Sequence, residues 1–248
     1  NLCTEIFQLQ ETSEINDYGI PDNIKRDINC NLASLNIPNV VKPGNVFRDS
    51  VHTGIESLTT VSDMSDVQNA PTVKKANQEL HAVGLGAMNL HGYFAKNKIN
   101  YESEEAKDFT STFFMMMNFY SIEKSMMIAK ERGVTFKGFE KSEYAKGTYF
   151  EKYKRISYAP KTEKVKALFE GIHIPNFEDW ANLAEMVRIH GLYNAYRLAV
   201  APTQSIGYIQ NATASIGPIV SQIESRTYAN ATTYYPMPYM DETNFWYY

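Results

Sequence analysis

Ile28-Asn29-Cys30-Asn31-Leu32-Ala33-Ser34-Leu35-Asn36-Ile37-Pro38-Asn39-Val40-Val41 alternates short apolar runs with Asn and Pro, and it reads as one or two short buried strands bounded by turns. From Val46 the period changes. Phe47, Val51, Ile55 and Leu58 recur at intervals of four, four and three residues, which places them on one face of a helix running to about Val61. Pro71 suits the first turn of a further helix, carried by Val73, Ala76 and Leu80 toward Val83. Gly84-Leu85-Gly86 interrupts it, and Ala87 to Lys96 is again helical in character.

Further along, Ser103 is an N-cap followed by Glu104 and Glu105, where carboxylates favour the positive end of a helix, and Gly133 is a stop. The long helix between them carries Phe109, Phe113, Met116, Met117 and Tyr120, is apolar nearly all round, and is expected at the centre of the core. Residues 134–175 are rich in Lys, Glu, Tyr and Gly and read as an irregular surface excursion with short helical pieces. A helix follows from Phe177 to His190, with Trp180, Leu183 and Val187 inward and Gly191 ending it. Leu198 to Ala201 is a short strand closed by Pro202, and the aromatic tail from Thr227 to Tyr248 shows no clear period. No repeat or linker divides the 248 residues, which read as a single domain.

Composition narrows the function. Apolar residues are 44% and charged residues 21%, as in ordinary folded proteins, so disordered, collagen-like and coiled-coil classes fit poorly. A balance of 24 basic to 28 acidic residues, net −4, argues against a nucleic-acid polymer as partner. No apolar run approaches the ~18 residues of a membrane helix, and Asn1 to Gln10 lacks the pattern of a signal peptide, so the expectation is a cytoplasmic protein without a membrane partner. Two cysteines make no disulfide framework, and no Cys/His cluster has metal-ligand spacing.

Three stretches carry possible chemistry. Asn1-Leu2-Cys3-Thr4-Glu5 sets an amide, a thiol and a carboxylate at alternate positions, which an extended segment would turn to one side. The same spacing also fits a small buried thiol beside two locally satisfied polar groups. Cys30 would meet Cys3 if the chain folds back, allowing two thiols to exchange electrons. Pro202-Thr203-Gln204-Ser205-Ile206 offers hydroxyls, an amide and backbone N–H groups that can cradle phosphate oxygens; it equally fits a plain Pro-initiated turn. His52, His81, His91, His173 and His190 are scattered, and His91 reads as a packed residue.

Taken together, Asn1 to Ile6, Cys30 to Ile37, Gly84 to Tyr93 and Ala201 to Ile206, in this order, resemble the large catalytic subunit of class Ib ribonucleoside-diphosphate reductase. The likeness extends through Phe113 to Ser121, Asn194 to Ile219 and Tyr234 to Pro238. It implies an α/β fold, part of a ten-stranded α/β barrel with the reactive cysteine on a central loop. It also implies reduction of ribonucleoside diphosphates to 2'-deoxy products, with Cys3 as the thiyl radical, Glu5 accepting the 3'-OH proton, Asn1 bonding the sugar hydroxyls, Cys30 as one of the redox pair, and Pro202, Thr203, Gln204, Ser205 and Ile206 holding the diphosphate.

No cofactor is implied for this chain itself. The radical would come from a small partner subunit carrying a metal (manganese or iron) and a tyrosyl radical, the electrons from a glutaredoxin- or thioredoxin-like reductant. Nucleotide effectors would bind elsewhere, and the full subunit would form a homodimer. The chain opens inside the active-site motif and ends at Tyr248, so the resemblance implies one piece, the C-terminal portion of the barrel; the Tyr234-Tyr235 and Tyr247-Tyr248 pairs stand in the wrong context to relay a radical. A diphosphate-binding module dependent on a partner chain is the alternative. A thiolate hydrolase built on Cys3 lacks a histidine at a recognisable spacing.

Overall fold

A computed structural model describes residues 4–29 and 31–248 of the protein. Strand β1, Leu32–Asn36, falls inside the stretch expected to hold one or two buried strands, but it is half-buried as far as Leu35, and from Ile37 the chain turns helical, with Pro38 in the first turn, instead of forming a second strand. The chain then runs through helices α1 (Ile37–Val40), α2 (Val46–Met64) and α3 (Pro71–Leu80) and returns as strand β2, Gly84–Met88. β2 lies parallel to β1, with Leu32 opposite Gly84 and Asn36 opposite Met88. Parallel strands need a crossover of this kind, and the helices cover the sheet with their apolar faces: Phe47, Val51 and Ile55 of α2 are fully buried.

The strand at 84–88 corrects the expectation of a broken helix followed by helix from Ala87. His81 takes a left-handed conformation and ends α3, and all five residues of β2 are buried. The glycines serve close packing here. A Cβ at Gly84 would stand 2.5 Å from Leu32 Cδ2 and 2.8 Å from Ala199 Cβ, while one at Gly86 would collide with the Ala199 carbonyl. Tyr196 to Ala199 runs along this second edge of β2: Val83 N–H donates to Tyr196 O (3.0 Å), Leu85 N–H to Arg197 O (2.8 Å) and Ala199 N–H to Leu85 O (3.1 Å). Its bridge to β2 is parallel. In place of the strand expected over Leu198–Ala201, the segment makes a single bridge at Leu198 and is otherwise irregular, because beyond Ala199 N–H it makes no further ladder bond to β2.

Helix α4 (Leu90–Lys96) follows β2, and α5 (Glu104–Arg132) is the long central helix. Its ends are those expected. Ser103 Oγ accepts from Ala106 N–H, and Gly133 caps the C-terminus in a left-handed conformation. Phe109, Phe113, Met116 and Met117 are buried, and Phe113 meets Phe47 of α2 edge-on at 5.2 Å.

Beyond α5, helices α6 (Glu143–Lys146) and α7 (Glu163–Leu168) and two 3-10 turns make up an irregular stretch, but it is more than a surface excursion. Phe150, Tyr153, Val165 and Phe169 are buried in the main core, and Tyr153 stacks on Trp180 at 3.8 Å. Trp180 belongs to α8 (Phe177–His190), whose start is fixed by reciprocal hydrogen bonds between Asn176 and Asp179. A six-residue helix α9 (Gln204–Ile209) precedes an antiparallel hairpin, β3 (Ile223–Tyr228) and β4 (Ala231–Pro236), in the tail where no period was visible. Among the described residues no helix is long and apolar enough to cross a membrane.

Candidate active site

Three parallel segments end together. β1 finishes at Asn36, β2 runs into Asn89, and the Tyr196–Ala199 segment leads into Pro202. The carboxyl ends of parallel strands are where α/β folds assemble sites, because the loops that leave them can vary without disturbing the sheet. Asn89 is the junction. It is fully buried and left-handed (φ 71°), and its side-chain amide donates to Asn36 Oδ1 (3.0 Å) and Tyr239 OH (3.3 Å). Its Oδ1 accepts from Thr213 N–H (3.0 Å) and Thr213 Oγ1 (3.4 Å), and its own N–H donates to Thr213 O (2.9 Å).

The Pro202–Ile206 turn divides into an anchor and an open part. Thr203 is 2% exposed; its Oγ1 accepts from Ser215 N–H (2.7 Å) and its carbonyl from Gly207 N–H (2.7 Å). Gln204, Ser205 and Ile206 are exposed, and no described residue takes their backbone N–H groups. These N–H groups and the Ser205 hydroxyl can bind an oxyanion; with only six residues, α9 adds little dipole.

Gln204 also borders a cleft of about 810 Å³ between α9 and the hairpin. In it the Arg226 guanidinium lies 3.1 Å from the Tyr208 ring centre and pairs with Glu224 at 2.7 Å, holding that carboxyl below its ordinary range.

The family model for the ribonucleotide reductase barrel domain matches residues 1–244. The chain belongs to the ribonucleotide reductase barrel-domain family. It is 52% identical over its whole length to the ribonucleoside-diphosphate reductase subunit alpha of Bacillus subtilis, covering 35% of that protein. It is 50% identical over 99% of its length to the nrdEB subunit alpha of Bacillus phage SPbeta, covering 23% of it, and 44% identical over 91% to the subunit alpha of Mycoplasma pneumoniae, covering 32%. The chain thus spans about a third or less of these relatives. Its mixed helices and parallel strands are part of the family's α/β barrel.

Within this reductase barrel, Asn1, Cys3 and Cys30 lie outside the described residues. Glu5 is half-buried. The chain that follows the first motif is tied to the chain that precedes Cys30: Gln8 Nε2 donates to Asn29 O (2.6 Å) and Asn29 N–H donates to Gln8 Oε1 (3.2 Å). Leu9 N–H reaches the Tyr196 hydroxyl at 3.0 Å, joining the same arm to the segment that leads to Pro202. Asn29 itself is fixed by Asn77 Oδ1 (2.8 Å) and Ala82 O (3.1 Å).

Gln8, Asn36, Asn89 and Thr213 carried no signal that singled them out, since an amide or hydroxyl is informative only when its burial is known. His91 is packed as expected, bonded to Ile219 N–H and Tyr247 O, each at 3.0 Å. Among the described residues no group of His, Cys, Asp and Glu has the makings of a metal site.

Proposed function

We propose that the chain is part of the catalytic alpha subunit of a class Ib ribonucleoside-diphosphate reductase, and that it reduces ribonucleoside diphosphates to 2'-deoxyribonucleoside diphosphates for DNA precursor synthesis. The observation that supports this most is the convergence of three parallel carboxyl ends beside an exposed turn with unengaged N–H donors, in a chain matched by the reductase barrel over residues 1–244. The turn Pro202–Ile206 holds the diphosphate. Cys3, as a thiyl radical, takes the hydrogen from C3' of the ribose; Glu5 accepts the 3'-OH proton and Asn1 bonds the sugar hydroxyls, which helps the 2'-OH leave as water. Cys30 is one of the two thiols that supply two electrons and two protons as they close to a disulfide, one hydrogen completing the departing water and the other replacing it at C2', after which Cys3 returns the hydrogen to C3' and is a thiyl radical again.

The Gln8–Asn29 pairing supports this arrangement, since it draws together the chain that follows Cys3 and the chain that precedes Cys30. The radical reaches Cys3 from a small metal-containing partner subunit, a glutaredoxin- or thioredoxin-like protein renews the thiols, effectors bind elsewhere in the full subunit, and the whole works as a cytoplasmic homodimer. In the full subunit, Cys3→Ser abolishes turnover while the nucleotide still binds, because a hydroxyl holds its hydrogen too strongly to carry the radical. Retained turnover refutes the assignment.

A second reading rests on the chain's spanning about a third or less of its relatives' length: a diphosphate-binding piece that is inactive without the rest. Calorimetry of the isolated chain with a ribonucleoside diphosphate distinguishes stand-alone binding from dependence on the remainder.

A further inference from the structure

We propose that Asn89 is a positioning residue for the substrate diphosphate, acting through Thr213 on the turn Pro202–Ile206; the inference rests on the reading that this turn holds the diphosphate. The turn is exposed over Gln204, Ser205 and Ile206 and is secured at Thr203, whose Oγ1 accepts from Ser215 N–H. Ser215 is two residues from Thr213, and Thr213 is held from three sides. Its N–H and hydroxyl meet Asn89 Oδ1, its carbonyl accepts from Asn89 N–H, and its Oγ1 accepts from Gly92 N–H (3.2 Å). Asn89 in turn donates to Asn36 Oδ1 at the end of β1. A path therefore runs from the sheet to the otherwise exposed turn, by hydrogen bonds from Asn36 through Asn89 to Thr213, along the chain to Ser215, and by a hydrogen bond to Thr203.

The residue types fit this task. A primary amide offers two donors and an accepting oxygen, and Asn89 uses both donors and accepts twice, within the chemistry of no other side chain of its size except glutamine's longer amide. Asparagine also tolerates the left-handed backbone that aims the amide across the strand ends. Residue 92 is glycine where a Cβ would collide with Asn89 Oδ1, so the space the amide occupies is kept for it. Aspartate would lose both donors and bury a charge.

The test uses the complete subunit with its radical-generating partner. Asn89→Gly keeps the left-handed backbone and deletes the amide; Asn36→Ala deletes the acceptor at the sheet end of the path; Ser205→Glu sets a negative charge on the exposed turn. Expected results are a KM for the ribonucleoside diphosphate raised about tenfold by Asn89→Gly and by Asn36→Ala, with kcat changed less than about threefold, as for one or two lost positioning hydrogen bonds. Ser205→Glu raises KM further by repelling the diphosphate. If Ser205→Glu raises KM while the other two leave it unchanged, or lower kcat at fixed KM, the positioning role is overturned and the turn's assignment stands. If Ser205→Glu also leaves KM unchanged, the diphosphate lies elsewhere, and both readings fall. Should Asn89→Gly not fold, Asn36→Ala decides alone.

Discussion

Gly86 meets Ala199 with no room for a side chain: a Cβ on residue 86 would collide with the Ala199 carbonyl oxygen. This contact lets the segment leading to Pro202 run alongside β2, where Ala199 N–H donates to Leu85 O. Gly86→Ala must push that backbone away, and it should destabilise the protein by about 1–3 kcal/mol, the usual cost of overpacking a core. Gly217→Ala is the control, since a Cβ there meets nothing within 4 Å and the backbone is not left-handed, so the net effect should be small. Urea unfolding of both variants checks the difference; equal losses would mean that backbone contact at Gly86 is not the constraint.

His91 should make stability pH-dependent. Ile219 N–H donates to its Nδ1 and its Nε2 donates to Tyr247 O, which fixes the neutral ring, and the rings of Tyr101 and Tyr248 lie 5.0 and 5.3 Å away. Burial lowers its pKa, opposed in part by the Tyr247 bond. A histidine whose folded pKa lies below its unfolded value stabilises fully above that unfolded value, about 6.5, and loses the contribution as pH falls beneath it. His91→Gln can make both bonds without titrating. The thermal midpoint of the native protein should therefore drop more between about pH 7.5 and 5.5 than that of the variant. Parallel curves would assign the titration to another group.

How far the sequence speaks is clear from particular elements. The long helix was legible because its cap, its acidic first turn and its stop at Gly133 all agree with an apolar interior. β2 was not, since glycine punctuates helices and turns more often than it marks a strand needing close neighbours, and the neighbours are 52 and 113 residues away in Leu32 and Ala199 for Gly84 and Gly86 respectively. The β3–β4 hairpin was hidden for another reason. β4 is exposed along its whole length, so no alternation separates a buried face from a wet one, and the turn uses Ala229 at φ 50° where glycine or asparagine would have given the signal. Of the candidate site, the turn at 202–206 was visible as a motif, whereas the Asn89–Thr213 junction depends on a spacing of 124 residues that only folding reveals.

Glu123 gives a further test, now of a charge shared between two helices. Arg48 of α2 donates to its carboxylate through Nε at 3.0 Å and Nη2 at 3.2 Å, and His52 Nε2 lies 2.8 Å from Oε2. Burial alone would raise the Glu123 carboxyl, but the bonds from His52 and Arg48 outweigh it and hold the group below its ordinary range. A depressed carboxylate stabilises above its unfolded value, about 4.5, and the contribution disappears as pH falls through the folded value. Glu123→Gln keeps the shape and removes the charge. It should cost about 1–2 kcal/mol at neutral pH, discounted for the partly exposed Arg48, and progressively less as the native carboxylate itself becomes protonated. Urea unfolding at about pH 7 and pH 4 measures the convergence. A cost that stays constant across that range would show that shape at residue 123, and not its charge, joins α2 to α5.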